Sequence, residues 1–301
     1  MDNVVPKLSL PDMYRSASQC VVAFINKMAK VPADQQPLFP GIIGTGFLVN
    51  SKGLAVTTRH VVDELERLPP HPTTKQSTAS AFLLRFDEEG KGCQALLPSI
   101  LGFGSVDSFT PSDSWDGQAI PDIGFVQLGV RETPFLRLNT EDWAIQPGME
   151  ISTIGYPMGT VPLTLHKKVS QMSPFIRRGI VSSVYPCPAP NPRGFSIDIM
   201  QQGGSSGSPI FGPDNRRVVG MMWSGLNDPR PLVIASMRGH VALPTNMSLA
   251  EPAHIIAGVL AEVAKHSTVS VKEIPTLKEM QEASPRSDIS QGLEWEVFQA
   301  T

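Results

Sequence analysis

A chain of 301 residues with 41% apolar side chains is long enough to bury one large core or two smaller ones, which excludes a disordered or peptide-sized molecule. The formal net charge is −3, and basic residues gather only in pairs such as Lys167-Lys168, Arg177-Arg178 and Arg216-Arg217, so nucleic acid is not expected as a partner. The three cysteines, Cys20, Cys93 and Cys187, are odd in number, widely spaced and without a Cys-x-x-Cys pair, which argues against a disulfide framework or a zinc signature.

Met1 to Leu10 lacks a basic segment followed by an apolar run, so no secretory signal is expected. Short β-rich runs broken by Gly and Pro then dominate the first 245 residues. They include Cys20–Ile25, Gly46–Val49, Leu54–Thr58, Ala81–Phe86, Ile123–Leu128, Ile151–Ile154 and Gly179–Val184. The series continues through Phe195–Met200, Pro209–Phe211, Val218–Trp223, Leu232–Ser236 and His240–Leu243. Many short strands at close spacing predict an all-β protein of barrels or sandwiches. Pro69–Ser80 and Ser105–Ala119 are polar, aperiodic stretches and read as loops, and Asn139–Gly148 reads as a link between two β units.

A helix is predicted over 249–265. Ser248 stands three residues before Glu251 in capping-box spacing, Leu249, Ile255, Ile256, Val259, Leu260 and Val263 share a face, and Lys265 and His266 close the last turn. Ile255–Val263 is too short and too interrupted to cross a bilayer, so no membrane contact is expected. The polar remainder, Ser267–Thr301, has no sustained pattern. Within it, Leu293 to Phe298 is an apolar-acidic stretch suited to docking on a barrel or a partner.

Three segments carry chemistry. Gly204-Ser205-Ser206-Gly207-Ser208-Pro209 is a loop able to present a serine hydroxyl beside free backbone N–H groups. Ser206 is the candidate nucleophile, and the amides of Gly204 and Ser206 are the candidate donors to an oxyanion, where one donor is worth about 3 kcal/mol. Thr57-Thr58-Arg59-His60-Val61-Val62 ends a strand-like run on a histidine, the candidate general base. Pro121-Asp122-Ile123-Gly124 opens an apolar strand on an aspartate, the candidate residue to orient His60; Asp113 and Asp116 lie close by in the preceding loop.

These segments, with Gly44-Thr45-Gly46-Phe47-Leu48-Val49, Pro147-Gly148-Met149-Glu150, Ile154-Gly155-Tyr156-Pro157-Met158-Gly159, Gly179-Ile180-Val181-Ser182 and Val241-Ala242-Leu243-Pro244, resemble the chymotrypsin-fold serine peptidases. Within that fold the similarity is to the HtrA/Deg-like branch, over roughly 14–265. The resemblance implies two six-stranded antiparallel β-barrels and a C-terminal helix. It divides the chain into an extension at 1–13, a peptidase domain at 14–265 and a flexible tail at 266–301. In that domain the first barrel covers about 14–140, the second about 145–247 and the helix 249–265. Two departures stand out: Ser205 occupies the place where digestive relatives carry an aspartate for a newly cut N-terminus, and no PDZ-type domain follows.

The resemblance also implies a pocket for the side chain before the scissile bond, walled by Met200, Trp223, Ser224 and Gly225. Met200 in place of a carboxylate favours a medium apolar side chain over Arg or Lys, with Asp228 the residue able to reverse this by folding inward. The expected function is a serine endopeptidase acting on polypeptides, without metal or organic cofactor, in the cytoplasm. Alternatives are a latent or inactive protease-fold scaffold governed by a regulatory partner or by the tail, and, more distantly, an esterase-like hydrolase.

Overall fold

The computed structural model describes residues 6–27, 41–86, 92–107, 120–140, 144–157, 173–228, 232–234, 239–241, 243–266, 273–284 and 287–288. Its first half contains α1 (Leu10–Ala17), β1 (Val21–Asn26), β2 (Gly41–Leu48), β3 (Leu54–Thr57), α2 (Arg59–Glu66), β4 (Ala79–Phe86), β5 (Gly92–Leu96), β6 (Ile100–Ser105) and β7 (Gly124–Leu128). The second half begins with β8 (Arg137–Leu138), β9 (Glu150–Gly155), β10 (Phe175–Tyr185), β11 (Gly194–Ile197) and β12 (Pro209–Phe211). It continues with β13 (Arg217–Asn227), β14 (Leu232–Ile234), β15 (Gly239–Val241) and β16 (Pro244–Pro252). After these come α3 (Ala253–His266), α4 (Leu277–Ala283) and β17 (Ser287–Asp288).

The predicted all-β double-barrel architecture is present. Strands β12, β9, β10, β11, β16 and β13 pair in that order, and a β12–β13 ladder closes them into a six-stranded barrel. The first sheet runs β17-β5-β4-β1-β2-β3-β7-β6 and curls as a half-barrel. Strand alternation divides the core. In β1, Val22 and Phe24 point into the first barrel, while Val21, Ala23 and Ile25 face a second cluster shared with Ile154, Tyr156, Phe211 and Met221 of the other barrel. Both faces of β1 are therefore buried, and the two barrels form one continuous apolar body. Cys20 lies at its margin, where burial pushes the thiol up to about 12 against the pull of Arg85, as befits a small core hydrophobe.

Three sequence expectations need correction. The helix predicted at 249–265 starts at Ala253, because Leu249, Ala250 and Glu251 are strand residues of β16. β16 pairs with β11 on one side and β13 on the other, and two ladders outweigh a local capping pattern. Ser248, read as the cap, donates its hydroxyl to the Ile199 carbonyl instead. The second barrel accordingly extends to Pro252, and β16 is the strand that enters the helix.

The boundary expected at residue 13 falls inside α1, capped by Ser9 and anchored by fully buried Met13. The segment before it is stitched to the second barrel by Leu8 N donating to Asp214 O and Asn215 Nδ2 donating to Leu8 O.

The tail is not uniformly free. Thr276 and Glu279 form a capping box at the start of α4, and Arg131 N and Leu277 N exchange backbone hydrogen bonds with Pro275 and Arg131 carbonyls. Gln94 Nε2 donates to Gln281 O, and β17 pairs with β5 at Cys93 and Gly92. Residues 273–284 and 287–288 thus form a strap that covers an edge of the first sheet. Leu277, 9% exposed, is packed into the first-barrel core. Leu277→Ala is expected to lower stability by about 2–3 kcal/mol in chemical denaturation, whereas an unchanged midpoint would mean that the strap rests on the barrel without supporting it.

Leu293–Phe298 and most of the predicted loop Ser105–Ala119, including Asp113 and Asp116, lie outside the described residues. Among the described residues no helix is long and apolar enough to cross a membrane.

Candidate active site

α2 begins directly after β3. Its inner face carries buried Val61, Val62 and Leu65, which fixes the helix to the barrel and leaves His60 in the first turn on the accessible side. Asp122 precedes β7, on a strand held by buried Ile123 and Val126. The two meet across 62 residues of sequence: His60 Nδ1 lies 2.6 Å from Asp122 Oδ2, and the His60 backbone N–H donates to Asp122 Oδ1 at 3.1 Å. A carboxylate only accepts, so Nδ1 carries the ring proton and the neutral ring keeps its lone pair on Nε2. The side chain of His60 is 47% exposed and that of Asp122 is 14% exposed, so the imidazole faces incoming solute while the carboxylate is shielded behind it.

Asp122 is held from the other barrel as well. Its backbone N–H donates to Glu251 Oε1 at 3.0 Å, and Glu251 Oε2 lies 3.4 Å from Arg193 Nη1. Burial pushes the Glu251 carboxyl upward against the opposing pull of the Asp122 N–H and of Arg193. Sequence reasoning missed this role. The one signal Glu251 gave was its spacing from Ser248, and that pointed to a helix cap.

The serine loop is built by two turns and a tether. Ser205 N donates to Gln202 O at 3.0 Å, and Gly204 at the third position of that turn has φ +88°, the type II geometry that only glycine adopts without strain. A type I turn would invert the Gly203–Gly204 peptide and turn its N–H away. Ser205 Oγ donates back to Gln202 O at 2.6 Å, which closes the loop locally. Thr45 of β2 then clamps it: Thr45 Oγ1 donates to Gly204 O at 2.6 Å, and Thr45 N donates to Ser206 O at 2.8 Å. Among the described residues, the N–H groups of Gly204 and Ser206 have no internal acceptor.

Gly207, with φ +88°, packs where β2 and β3 meet. An added Cβ would collide with the Thr45 carbonyl oxygen and stand 2.6 Å from Thr57 Oγ1. Backbone strain of about 1–3 kcal/mol adds to that clash, so Gly207→Ala is expected to lower Tm by roughly 6–12 °C in a thermal melt. An unchanged Tm would show that the loop is not held against the β2–β3 hairpin.

The structure therefore brings His60 and Asp122 together and gives Gly204 and Ser206 unengaged amides. It does not join His60 to Ser206. Ser206 Oγ instead accepts from Gln201 Nε2 at 2.8 Å, and His60 Nε2 lies 3.4 Å from Thr58 Oγ1. Gln201 Nε2 also donates to the Trp223 carbonyl at 3.3 Å. Met200, Trp223, Ser224 and Gly225 are half-buried, and the Met200 carbonyl accepts from Arg177. Gln201 is the second residue the sequence reading missed, since nothing in its neighbourhood marks it as more than a surface amide.

An oriented imidazole, a serine hydroxyl and two unengaged N–H groups on the same loop are the equipment for nucleophilic acyl transfer. Among the described residues no three His, Cys, Asp or Glu side chains cluster as metal ligands would. The family model of the trypsin-like peptidase domain matches residues 44–221, more than half of the chain, and spans His60, Asp122 and Ser206. The chain belongs to the trypsin-like peptidases.

Solved structures of similar fold are proteases, at low identity, among them the HtrA-type protease AlgW. AlgW with a tripeptide is 13% identical with TM-score 0.50, covering 86% of this chain and 64% of that one. An AlgW variant with a decapeptide is 14% identical with TM-score 0.52, covering 87% and 68%. A serine endoprotease from Yersinia pestis is 15% identical with TM-score 0.49, covering 87% and 68%. This trypsin-like peptidase domain thus spans about two thirds of the length of those proteases. No curated protein sequence matches it.

Proposed function

We propose that this trypsin-like peptidase domain is a serine endopeptidase that cleaves polypeptides through an acyl-enzyme. Ser206 attacks the scissile carbonyl, and His60 takes its proton and returns it to the leaving amine. Asp122 holds the imidazole in the required tautomer and stabilises its cation. The amides of Gly204 and Ser206 hold the oxyanion of the tetrahedral intermediate, and water then releases the acyl group. The observation that carries this reading is the 2.6 Å His60–Asp122 pair: one shielded carboxylate holds both the ring and the backbone N–H of an accessible histidine, which is the support a directed base needs.

Covalent labelling by a fluorophosphonate, read by intact mass beside Ser206→Ala, tests it. A single adduct that disappears in the variant supports the reading; no adduct, or one that persists in Ser206→Ala, refutes it.

A second reading, a protease fold kept idle as a binding scaffold, is favoured by one observation: Ser206 is hydrogen-bonded to Gln201 and not to His60. The same labelling separates the two, since an idle serine does not react.

A further inference from the structure

Gln201 sits five residues before Ser206, and its side chain links the serine loop to β13. One nitrogen makes both of its hydrogen bonds, to Ser206 Oγ at 2.8 Å and to the Trp223 carbonyl at 3.3 Å. The Trp223 carbonyl fixes the orientation of the amide, because a carbonyl can only accept and so must face the NH₂ end. The other end, Oε1, is buried and has no hydrogen-bond partner among the described residues. A Cβ added at Gly225 would stand 3.2 Å from Gln201 Cβ, so the side chain lies directly against the backbone that walls the pocket.

Each feature has a chemical consequence. An N–H donated to Ser206 Oγ draws on the oxygen lone pair that must attack a carbonyl. No hydrogen bond joins the hydroxyl to His60, whose Nε2 lies 3.4 Å from Thr58 Oγ1. The carboxamide bridges Ser206 and the Trp223 carbonyl, beside residues expected to wall the pocket for the substrate side chain. Its orphaned acceptor is the second observation. A buried carbonyl oxygen without a donor carries an uncompensated desolvation cost, which displacement of the side chain into solvent would relieve.

We propose that the Gln201 carboxamide is a positioning residue that latches the nucleophile in the free chain. It occupies the pocket for the side chain before the scissile bond, and a bound peptide displaces it and thereby releases Ser206 to His60. This rests on the reading of Ser206 as nucleophile. No covalent change is involved: the peptide replaces the Gln201 N–H at the Trp223 carbonyl, and Ser206 exchanges an accepted hydrogen bond for one donated to His60 Nε2.

The test compares Gln201→Leu, which keeps most of the volume and removes the donor, with Gln201→Ala, which removes both. Inactivation rates are measured with a small dialkyl fluorophosphonate and with peptidyl phosphonates carrying alanine or phenylalanine at the position before phosphorus. Both variants are expected to react with the small probe roughly three- to tenfold faster than the parent, the worth of one net hydrogen bond. Only Gln201→Ala is expected to raise the phenylalanine-to-alanine ratio, a readout that a purely structural role would not move. Adducts on Ser206 that form no faster in either variant overturn the latch and leave the peptidase reading standing. Absence of any adduct in parent and variants alike overturns the peptidase reading and the latch with it.

Discussion

Ser206→Ala and His60→Ala are each expected to lower kcat on an unstructured polypeptide by roughly 10⁴–10⁶-fold, and the double variant no further than the worse single one. The near-identity of the three values follows from chemistry. Without the hydroxyl there is nothing for His60 to deprotonate, and without the ring the hydroxyl stays protonated while it attacks, so either loss forfeits the same step. The residual rate comes from the Gly204 and Ser206 amides, which still receive a carbonyl oxygen. Additive losses in the double variant would mean that the two residues do not act as a unit. Fold should survive both changes, because the serine loop is held through backbone and Thr45 contacts rather than through the Ser206 hydroxyl.

Asp122→Asn is expected to lower kcat by about 10⁴-fold with little change in KM. An amide that offers its NH₂ to Nδ1 favours the opposite tautomer and leaves Nε2 protonated, unable to accept from Ser206. The effect should reach back to the second barrel, since Glu251 holds the Asp122 backbone N–H. Glu251→Ala therefore lowers kcat more than KM, and Glu251→Gln, which retains an acceptor oxygen, restores most of the loss.

The same pair predicts a pH signature in stability. Burial holds the folded Glu251 carboxyl above its unfolded value, so within that window the native chain binds more protons than the unfolded one. The stability this group contributes is present below the unfolded value and is lost as pH rises through the folded one, and Glu251→Gln should remove that slope. A Glu251→Gln protein whose stability keeps the parent's pH dependence would place the titration elsewhere.

The legible parts of this molecule were those written in short-range pattern. Alternating apolar residues and frequent Gly and Pro announce strands and turns, because a strand's two faces repeat every second residue. Gly204 to Pro209 announces a loop with exposed amides, because a positive φ at Gly204 and close packing at Gly207 both require the absence of a side chain. His60 and Asp122 stood out through their position at the ends of apolar runs, where a polar group is anchored by a buried neighbour yet remains reachable.

What only the tertiary structure decided are pairings between residues far apart in the chain. Ser248 and Glu251 have the spacing of a helix cap, yet ladders to β11 and β13 make them strand residues and turn Glu251 toward Asp122, 129 positions away. The tail's Leu277 carries too little local pattern to reveal its burial, which depends on Arg131 and the first-barrel core lying opposite. Gln201 is the sharpest case. Its hydrogen bonds depend on where Trp223 and Ser206 come to rest, and an amide side chain is equally at home in solvent. Local sequence set which groups were available; the closure of two sheets set which of them met, because a hydrogen bond is decided by ångströms in space and not by separation along the chain.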